Sequence, residues 1–469
     1  MNEELAQQSY VHPAIAIAML VAIGLMFALP KRKLIATFIF SGILIPMDQI
    51  LVLGPLHFPM IRILVLFAWI RIYMAAKASG TPILPNKFNV LDKLVLLYAA
   101  FDALDYIILW GFSAQAIINR LGAAYMVIGI YFVLRACIRD EHDILLAIRS
   151  LAWVCAIIAL IMTAEHMTGQ NPYGYLGGSR AWTRDALMVR ESKLRAMGPF
   201  QHPILAGSFG GVCLPLFLAL WIRRQKFYAL LGILSSTIIV FASASSTPIM
   251  AYVFGAFAFS LWRYRRYMRM VRWGIVGVLL TLQLAMKAPV WALIQRVDLV
   301  GGSSGFHRFN LVDQTIRHFW DWWLFGVKNT FNWGPDLWDH ANQYVAVATN
   351  SGLVPLALFI AILVYGFKYA GRARKSREDG RRGSRFVWAL SASLLAHLVA
   401  FFGISYVDQT IIALWGVLAM IQVAGAQSAV PKSLGRGRRE IQQIPNFGEL
   451  SPAEGKVPKM SSQRLAAAV

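Results

Sequence analysis

Apolar residues in this chain come in long blocks separated by short polar connections, and the blocks recur almost from end to end. Each is close to the ~20 residues a helix needs to cross the hydrocarbon core of a bilayer. Hydropathy places roughly thirteen such blocks, at 13–30, 34–54, 60–76, 90–112, 115–136, 144–165, 203–222, 227–245, 248–262, 272–289, 344–367, 386–405 and 409–425. The pattern predicts an all-α, polytopic integral membrane protein with about 12–13 transmembrane helices. Composition agrees with it. Of the 469 residues, 58% are hydrophobic and only 14% charged, where soluble domains sit near a quarter charged.

Two connections are too long to be simple turns, about 166–202 and about 290–343, and long connections of this kind are usually functional or disordered. In the second, "RFNLVDQTIRHFWDWWLFGVKNTF" sets Leu311, Val312, Thr315, Ile316, Phe319, Trp320 and Trp323 at helical spacing. This predicts an amphipathic helix lying at the membrane interface, with Arg308 near its start. Trp320, Trp322 and Trp323 read as interfacial anchors. A transmembrane domain over 1–429 would then be followed by 430–469, whose "KSLGRGRRE" and Pro, Ser, Gln and Lys content predicts a disordered basic cytoplasmic tail.

The net charge of +22 raises nucleic acid as a partner. Its placement argues against that, because the cations cluster in short loops between apolar blocks and no aromatic-basic module accompanies them. Lys31-Arg32-Lys33, Arg223-Arg224-Lys226, "RYRRYMRMVR" and "GRARKSREDGRRGSR" occupy one alternating set of connections, while "LGPLHFP", "SST" and "YVD" in the other set carry no Lys or Arg. The positive-inside bias therefore places the N-terminus outside, the C-terminus in the cytoplasm and both long loops on the periplasmic face of a bacterial inner membrane. The start "MNEELAQQSY" lacks the basic region of a cleavable signal peptide. Cys137, Cys155 and Cys213 fall in or beside apolar blocks, which argues against a disulfide framework.

The periplasmic loops run against the charge bias. The first carries Arg180, Arg184, Arg190, Lys193 and Arg195, and the second Arg296, Arg308, Arg317 and Lys328 with His307, His318 and His340. Long loops translocate whatever their charge, which explains part of this. A guanidinium fork also suits an anion held at the membrane surface, because it makes paired, charge-assisted bonds to phosphate oxygens. Within the blocks, Asp102 and Asp105 share a helix face and are expected to pair with Arg62 or Arg120. No P-loop, HExxH or zinc-type His/Cys cluster is present, and Asp336 and Asp339 come nearest to a paired-acid site. The expectation is that no metal or other cofactor is needed.

The layout resembles the O-antigen ligase and O-antigen (exopolysaccharide) polymerase superfamily of bacterial polysaccharide biosynthesis. Three local patterns over roughly 190–355 carry the resemblance. In the first, Arg195 precedes Gly198, Phe200, His202, Pro203 and the Gly207-bearing block. In the second, "SSGFHR" supplies Arg308, and "LFGVKNTF" keeps Gly326 of a Gly-x-Gly turn. The third is "DHANQYVAVATNSGL", where Asn342 and Tyr344 match a His-Asn-x-Tyr run. Ala341 holds that run's His position with His340 one residue earlier, about 100° around a helix, and Asn350 replaces the family's acid before Gly-Leu.

The resemblance implies a metal-independent glycosyltransferase acting at the periplasmic face. Its donor would be an undecaprenyl-diphosphate-linked oligosaccharide, its acceptor a hydroxyl of another glycan (polymerase) or of the lipid A core (ligase), with membrane lipids and a chain-length regulator as further partners. Polymerase is the first reading, ligase the second, and a lipid-linked oligosaccharide flippase the reading from another class. Arg195 and Arg308 are then the diphosphate clamps and His340 the catalytic base, with Arg190, His202, His307, Asn342 and Tyr344 as substrate-binding candidates.

Overall fold

The structure, a computed structural model, describes residues 9–177, 189–190, 193–296, 305–334, 337, 340–376 and 381–426. By contacts the chain divides into Met1–Ser428 and Ala429–Val469, and the second unit, with the expected tail 430–469, lies outside the described residues.

The first part of the chain holds α1 (Pro13–Ala28), α2 (Leu34–Leu44), a hairpin of β1 (Ile50–Leu53) and β2 (Leu56–Pro59), α3 (Met60–Ser79), α4 (Val90–Leu109), α5 (Ala114–Cys137) and α6 (Glu141–Thr168). The two-residue strands β3 (Val189–Arg190) and β4 (Lys193–Leu194) pair in the first long loop. Then come α7 (Pro203–Ile222), α8 (Lys226–Ala242), α9 (Ser246–Ser260), α10 (Met268–Ala285), α11 (Gly305–Arg317) and the short α12 (Phe319–Trp322). The chain continues through α13 (Gln343–Ser351), α14 (Leu353–Ser376), α15 (Arg381–Ala400) and α16 (Thr410–Ala426).

Among the described residues, six helical stretches are long and apolar enough to cross a membrane: α5, α6, α7, Ser246–Ala285, α14 and Arg382–Ala400. Shorter apolar helices are α1, α8 and α16. The molecule is a predominantly helical membrane protein. At its centre runs α7, buried on almost every side and packed against α8, α9 and α15. Gly207, Gly210 and Gly211 let its neighbours lie close, and a Cβ on Gly211 would come within 3.0 Å of the Pro248 carbonyl.

Contacts between helix ends define two opposite ends of this bundle. At one, Arg223 after α7 pairs with Glu141 at the start of α6, Arg32 pairs with Asp140 at 3.2 Å, and Trp388 Nε1 donates to the Ala258 carbonyl at 2.8 Å. At the other end meet the end of α6, the start of α7, the α8–α9 turn and the α15–α16 loop. α10 starts near the first end and leads to the 3-10 turn Val290–Arg296, which packs on α11. None of its residues is buried.

Every apolar block carries a helix, but three expectations needed correction. The block 34–54 is not one span: α2 stops at Leu44, Pro46 follows, and "ILVL" and "LHFP" pair as a hairpin across Gly54, which sits at φ 59°. A short apolar run does not by itself distinguish strand from helix. The block 344–367 breaks at Gly352 into α13 and α14. The amphipathic segment is also shorter than expected. It ends at Arg317, and its buried face carries Arg308, Leu311 and Thr315, with Trp322 of α12 buried beside it. Ile316, Trp320 and Trp323 are exposed.

Candidate active site

The stretch Arg195–His202 is gripped from three sides. Ala196 N–H donates to the Ala242 carbonyl at 3.0 Å, at the end of α8. The Arg195 guanidinium, 9% exposed, donates through Nη2 to Ser245 Oγ at 2.7 Å. Glu165, on the last turn of α6, accepts from the N–H groups of Met197 at 3.1 Å and Gly198 at 2.8 Å, and from Asn171 Nδ2 at 3.2 Å. Gly198 turns the chain at φ 54°. Gln409 Nε2 donates to the Pro199 carbonyl at 3.1 Å, and Asp408 receives the Gln201 N–H at 3.3 Å. A charged stretch before an apolar helix is thus held by backbone bonds to buried polar side chains, as buried polar groups require.

The second long loop builds a small lobe of its own, with a satellite core of Leu311, Trp322, Trp333, Leu337, Val345 and Ala348. Within it α11 packs on the turn Val290–Arg296 and on α13. Trp291 Nε1 donates to Asp313 Oδ1 at 3.1 Å, Arg317 Nε to Asp313 Oδ2 at 2.6 Å, and Trp322 Nε1 to the Thr315 carbonyl at 2.7 Å. Arg308, 6% exposed, lies on the inward face of this fixed helix.

His340 stands just before α13. Its Nε2 lies 3.4 Å from Thr330 Oγ1 and its Nδ1 3.3 Å from Thr349 Oγ1. Those hydroxyls donate to the carbonyls of Leu337 at 2.6 Å and Val345 at 2.8 Å. Toward the imidazole each therefore offers an oxygen lone pair. Asn342 caps α13, its side-chain oxygen accepting from Tyr344 N–H at 2.9 Å and Val345 N–H at 3.2 Å. Tyr344 packs into the bundle among Phe359, Phe401 and Phe402 rather than along the lobe.

One connector links the two halves. Residues 401–409 touch the Arg195 stretch through Asp408 and Gln409, and touch the start of α13 through Tyr406 N–H, which donates to Gln343 Oε1 at 2.7 Å, and Gln343 N–H, which donates to the Phe401 carbonyl at 2.9 Å. Arg308 and His340 thus belong to the lobe around α13, and Arg195 to the bundle end that this connector joins to α13.

The other candidates are placed as follows. His202 caps α7, its Nδ1 accepting from Ile204 N–H at 3.1 Å. His307 lies on α11, half-buried. Arg190 lies in β3, and its side chain is outside the described residues, as are Arg180, Arg184, Asp336 and Asp339. Of the charges inside the blocks, Asp102 pairs with Arg120 at 3.4 Å as expected and also accepts from Ser351 Oγ at 2.6 Å, tying α4 and α5 to α13. Arg62 instead donates to the His57 carbonyl at 2.6 Å.

Sequence reasoning missed Glu165, Ser245, Gln343, Asp408 and Gln409. Glu165 and Gln409 sit inside or beside apolar blocks, where a lone polar residue is costly unless bonded, and that was the available signal. Among the described residues, Asp140, His142 and Asp143 are close enough to share a metal ion. They sit at the opposite end, where Asp140 Oδ1 accepts the Asp143 N–H at 2.9 Å and Asp143 Oδ2 the Arg139 N–H at 3.1 Å, as a helix cap does. No family model and no curated protein matches the chain.

Proposed function

We propose that this protein transfers a glycan from an undecaprenyl-diphosphate carrier to an acceptor hydroxyl on the periplasmic side of a bacterial inner membrane, as a polysaccharide polymerase. The reading adopts about 12–13 crossings, the 11-residue α2 making a short one, with the candidate site at the periplasmic end and the C-terminus in the cytoplasm. The observation that carries it is two buried guanidiniums, Arg195 beside the start of the apolar helix α7 and Arg308 on the braced α11 of the lobe that the 401–409 connector joins to that end through α13. On this reading the two face the headgroup region, where a lipid-borne diphosphate would be held.

Breaking the bond between sugar C1 and the diphosphate oxygen sends the electron pair to that oxygen, so negative charge grows on the leaving group. Preplaced Arg side chains stabilise it in a site shielded from bulk water. The acceptor hydroxyl oxygen attacks C1, and its proton passes to a base within hydrogen-bond reach. His340 fills that role once one of its long threonine contacts, at 3.3 and 3.4 Å, gives way to the acceptor.

The test is purified protein in vesicles with synthetic undecaprenyl-diphosphate oligosaccharide, with and without chelator. Elongated lipid-linked product with no added acceptor supports a polymerase. Product only after lipid A core is added replaces it with a ligase. Loss of the reaction in chelator refutes metal independence, and vesicle-to-vesicle sidedness changes without any new glycosidic bond refute transfer altogether.

A further inference from the structure

At the end of the bundle away from Arg195, three cations from three separate elements come together: Arg71 bonds the Leu29 carbonyl two residues before Lys31, and Arg32 of the Lys31 turn pairs with Asp140 next to Arg139. Lys31 opens the 3-10 turn Lys31–Lys33 between α1 and α2, Arg71 lies on α3, and Arg139 follows α5. Arg71 is fixed: its Nε donates to the Met26 carbonyl at 3.0 Å and its Nη2 to the Leu29 carbonyl at 3.3 Å, closing the last turn of α1. Arg139 Nε donates to the Ala136 carbonyl at 3.3 Å. Arg139 Nη2 and Lys31 Nζ are both buried, and among the described residues neither has a hydrogen-bond partner.

Like charges do not gather under cover without an opposite one. Burial first, and then the fields of Arg139 and Arg71, pull the Lys31 ammonium below the ordinary lysine range, opposed by Cys137. The nearby acids bond neither Lys31 Nζ nor Arg139 Nη2, although Asp143 Oδ1 is itself buried without a hydrogen-bond partner among the described residues. Asp140 pairs with Arg32 at 3.2 Å, and Asp143 caps α6 through the Arg139 N–H at 3.1 Å. An uncompensated buried cation is costly, and a phosphate oxygen is the acceptor that Arg and Lys donors match best.

We propose that Lys31 Nζ and Arg139 Nη2, backed by Arg71, form a phosphate-binding site: a phosphate group, on an anionic membrane lipid or free in solution, seats between the α1–α2 turn and the α5–α6 turn. The ends of apolar helices lie at headgroup depth, and basic pockets between such helices suit anionic headgroups. Ordinary positive-inside bias needs only exposed cations, which the neighbouring Arg32 and Lys33 already are. Burial of the donor atoms sets Lys31 and Arg139 apart from them.

Thermal unfolding of the purified full-length protein in a zwitterionic detergent tests this. The titrants are dioctanoyl phosphatidylglycerol, dioctanoylglycerol and inorganic phosphate, at constant ionic strength. Saturable stabilisation by phosphatidylglycerol but not dioctanoylglycerol assigns the site to a lipid headgroup. Saturable stabilisation by inorganic phosphate as well assigns it to the phosphate group alone. Lys31→Met and Arg139→Gln should each weaken the effect about tenfold, while Lys33→Gln should leave it within about threefold. If Lys31→Met does not fold, Arg139→Gln and Lys33→Gln carry the comparison. Equal weakening by Lys33→Gln, or no stabilisation of the wild-type protein by either phosphate compound, overturns the proposal.

Discussion

Gly326 and Gly352 meet back to back, and each presses on a carbonyl of the other's segment. A Cβ on Gly326 would lie 2.5 Å from the Thr349 oxygen, and one on Gly352 would lie 2.5 Å from the Leu324 oxygen. Both have positive φ, 89° and 87°. Two backbone bonds bracket the contact, from Val327 N–H to the Thr349 carbonyl at 2.7 Å and from Leu353 N–H to the Trp323 carbonyl at 2.8 Å. The second long loop is therefore locked to the point where α13 breaks from α14.

Alanine at either glycine should loosen this lock. A left-handed backbone costs a non-glycine residue about 1–2 kcal/mol, and at both sites the added methyl group also meets backbone rather than a yielding side chain. Gly326→Ala and Gly352→Ala are each expected to lower the unfolding temperature and to cut glycan transfer together. A Gly352→Ala protein that unfolds and reacts like wild type would show that the two segments do not depend on this contact.

Glu165 is expected to set the position of Arg195 without touching substrate. Its carboxylate holds the Met197 and Gly198 N–H groups, and each buried donor left unpaired costs about 1–3 kcal/mol. Glu165→Ala should reduce kcat/KM strongly, and Glu165→Gln, which keeps one acceptor oxygen, should recover part of it. If the glutamine variant is as impaired as the alanine variant, hydrogen-bond geometry is not what this side chain supplies.

The two guanidiniums should fail alike. Removing one preorganised donor to developing charge lowers turnover about 10²–10³-fold, so Arg195→Ala and Arg308→Ala should each lose transfer to that extent. Lysine keeps the charge but not the planar fork, and should restore only a minor part. Lipid-linked donor should accumulate on the outer face of membranes carrying either variant. Donor trapped on the inner face would instead indicate a flippase.

The helical blocks were legible because crossing a membrane demands unbroken apolar length, and hydropathy measures that directly. The interruptions were not. Gly352 ends α13 through backbone packing against Leu324, and β1–β2 forms because a two-residue turn at Gly54-Pro55 pairs two short apolar runs; neither depends on average hydropathy. The candidate site was half-legible for the same reason. Arg195 and Arg308 stood out as charges on the wrong side of the charge bias. Asp408 sat in a short connection that, lacking Lys and Arg, gave no such contrast, and Gln409 stood as a lone polar residue at the head of an apolar block, although the two link the halves of the site.

His340 offers a test of the base role through its neighbours. Thr330 and Thr349 face its two ring nitrogens at 3.4 and 3.3 Å, with their own protons turned to carbonyls. Valine at either position removes the oxygen while nearly preserving shape, at the expense of the hydroxyl's other bond. If one ring nitrogen must open toward the acceptor, Thr330→Val and Thr349→Val should have unequal effects on kcat. His340→Gln should then abolish transfer in both backgrounds. Full activity of His340→Gln would move the base elsewhere, with His307 the next residue to substitute.

Asp102 joins α4 to α5 through Arg120 and to α13 through Ser351. Its side chain and that of Arg120 are 14% and 17% exposed, so the pair is largely removed from water. Breaking a buried pair from one side leaves a charge uncompensated and typically costs 3–5 kcal/mol, roughly, whereas replacing both partners with apolar groups is often near neutral. Asp102→Leu should therefore destabilise more than Asp102→Leu with Arg120→Met. Ser351→Ala alone, which removes one donor to the carboxylate at 2.6 Å, should cost about 1.5–3 kcal/mol. Unfolding in detergent across this set gives the coupling between Asp102 and Arg120, expected at about 0.5–3 kcal/mol. Strictly additive single effects would mean that Asp102 and Arg120 do not stabilise α4 against α5 as a pair, leaving the contact to Ser351 as what the Asp102 carboxylate supplies.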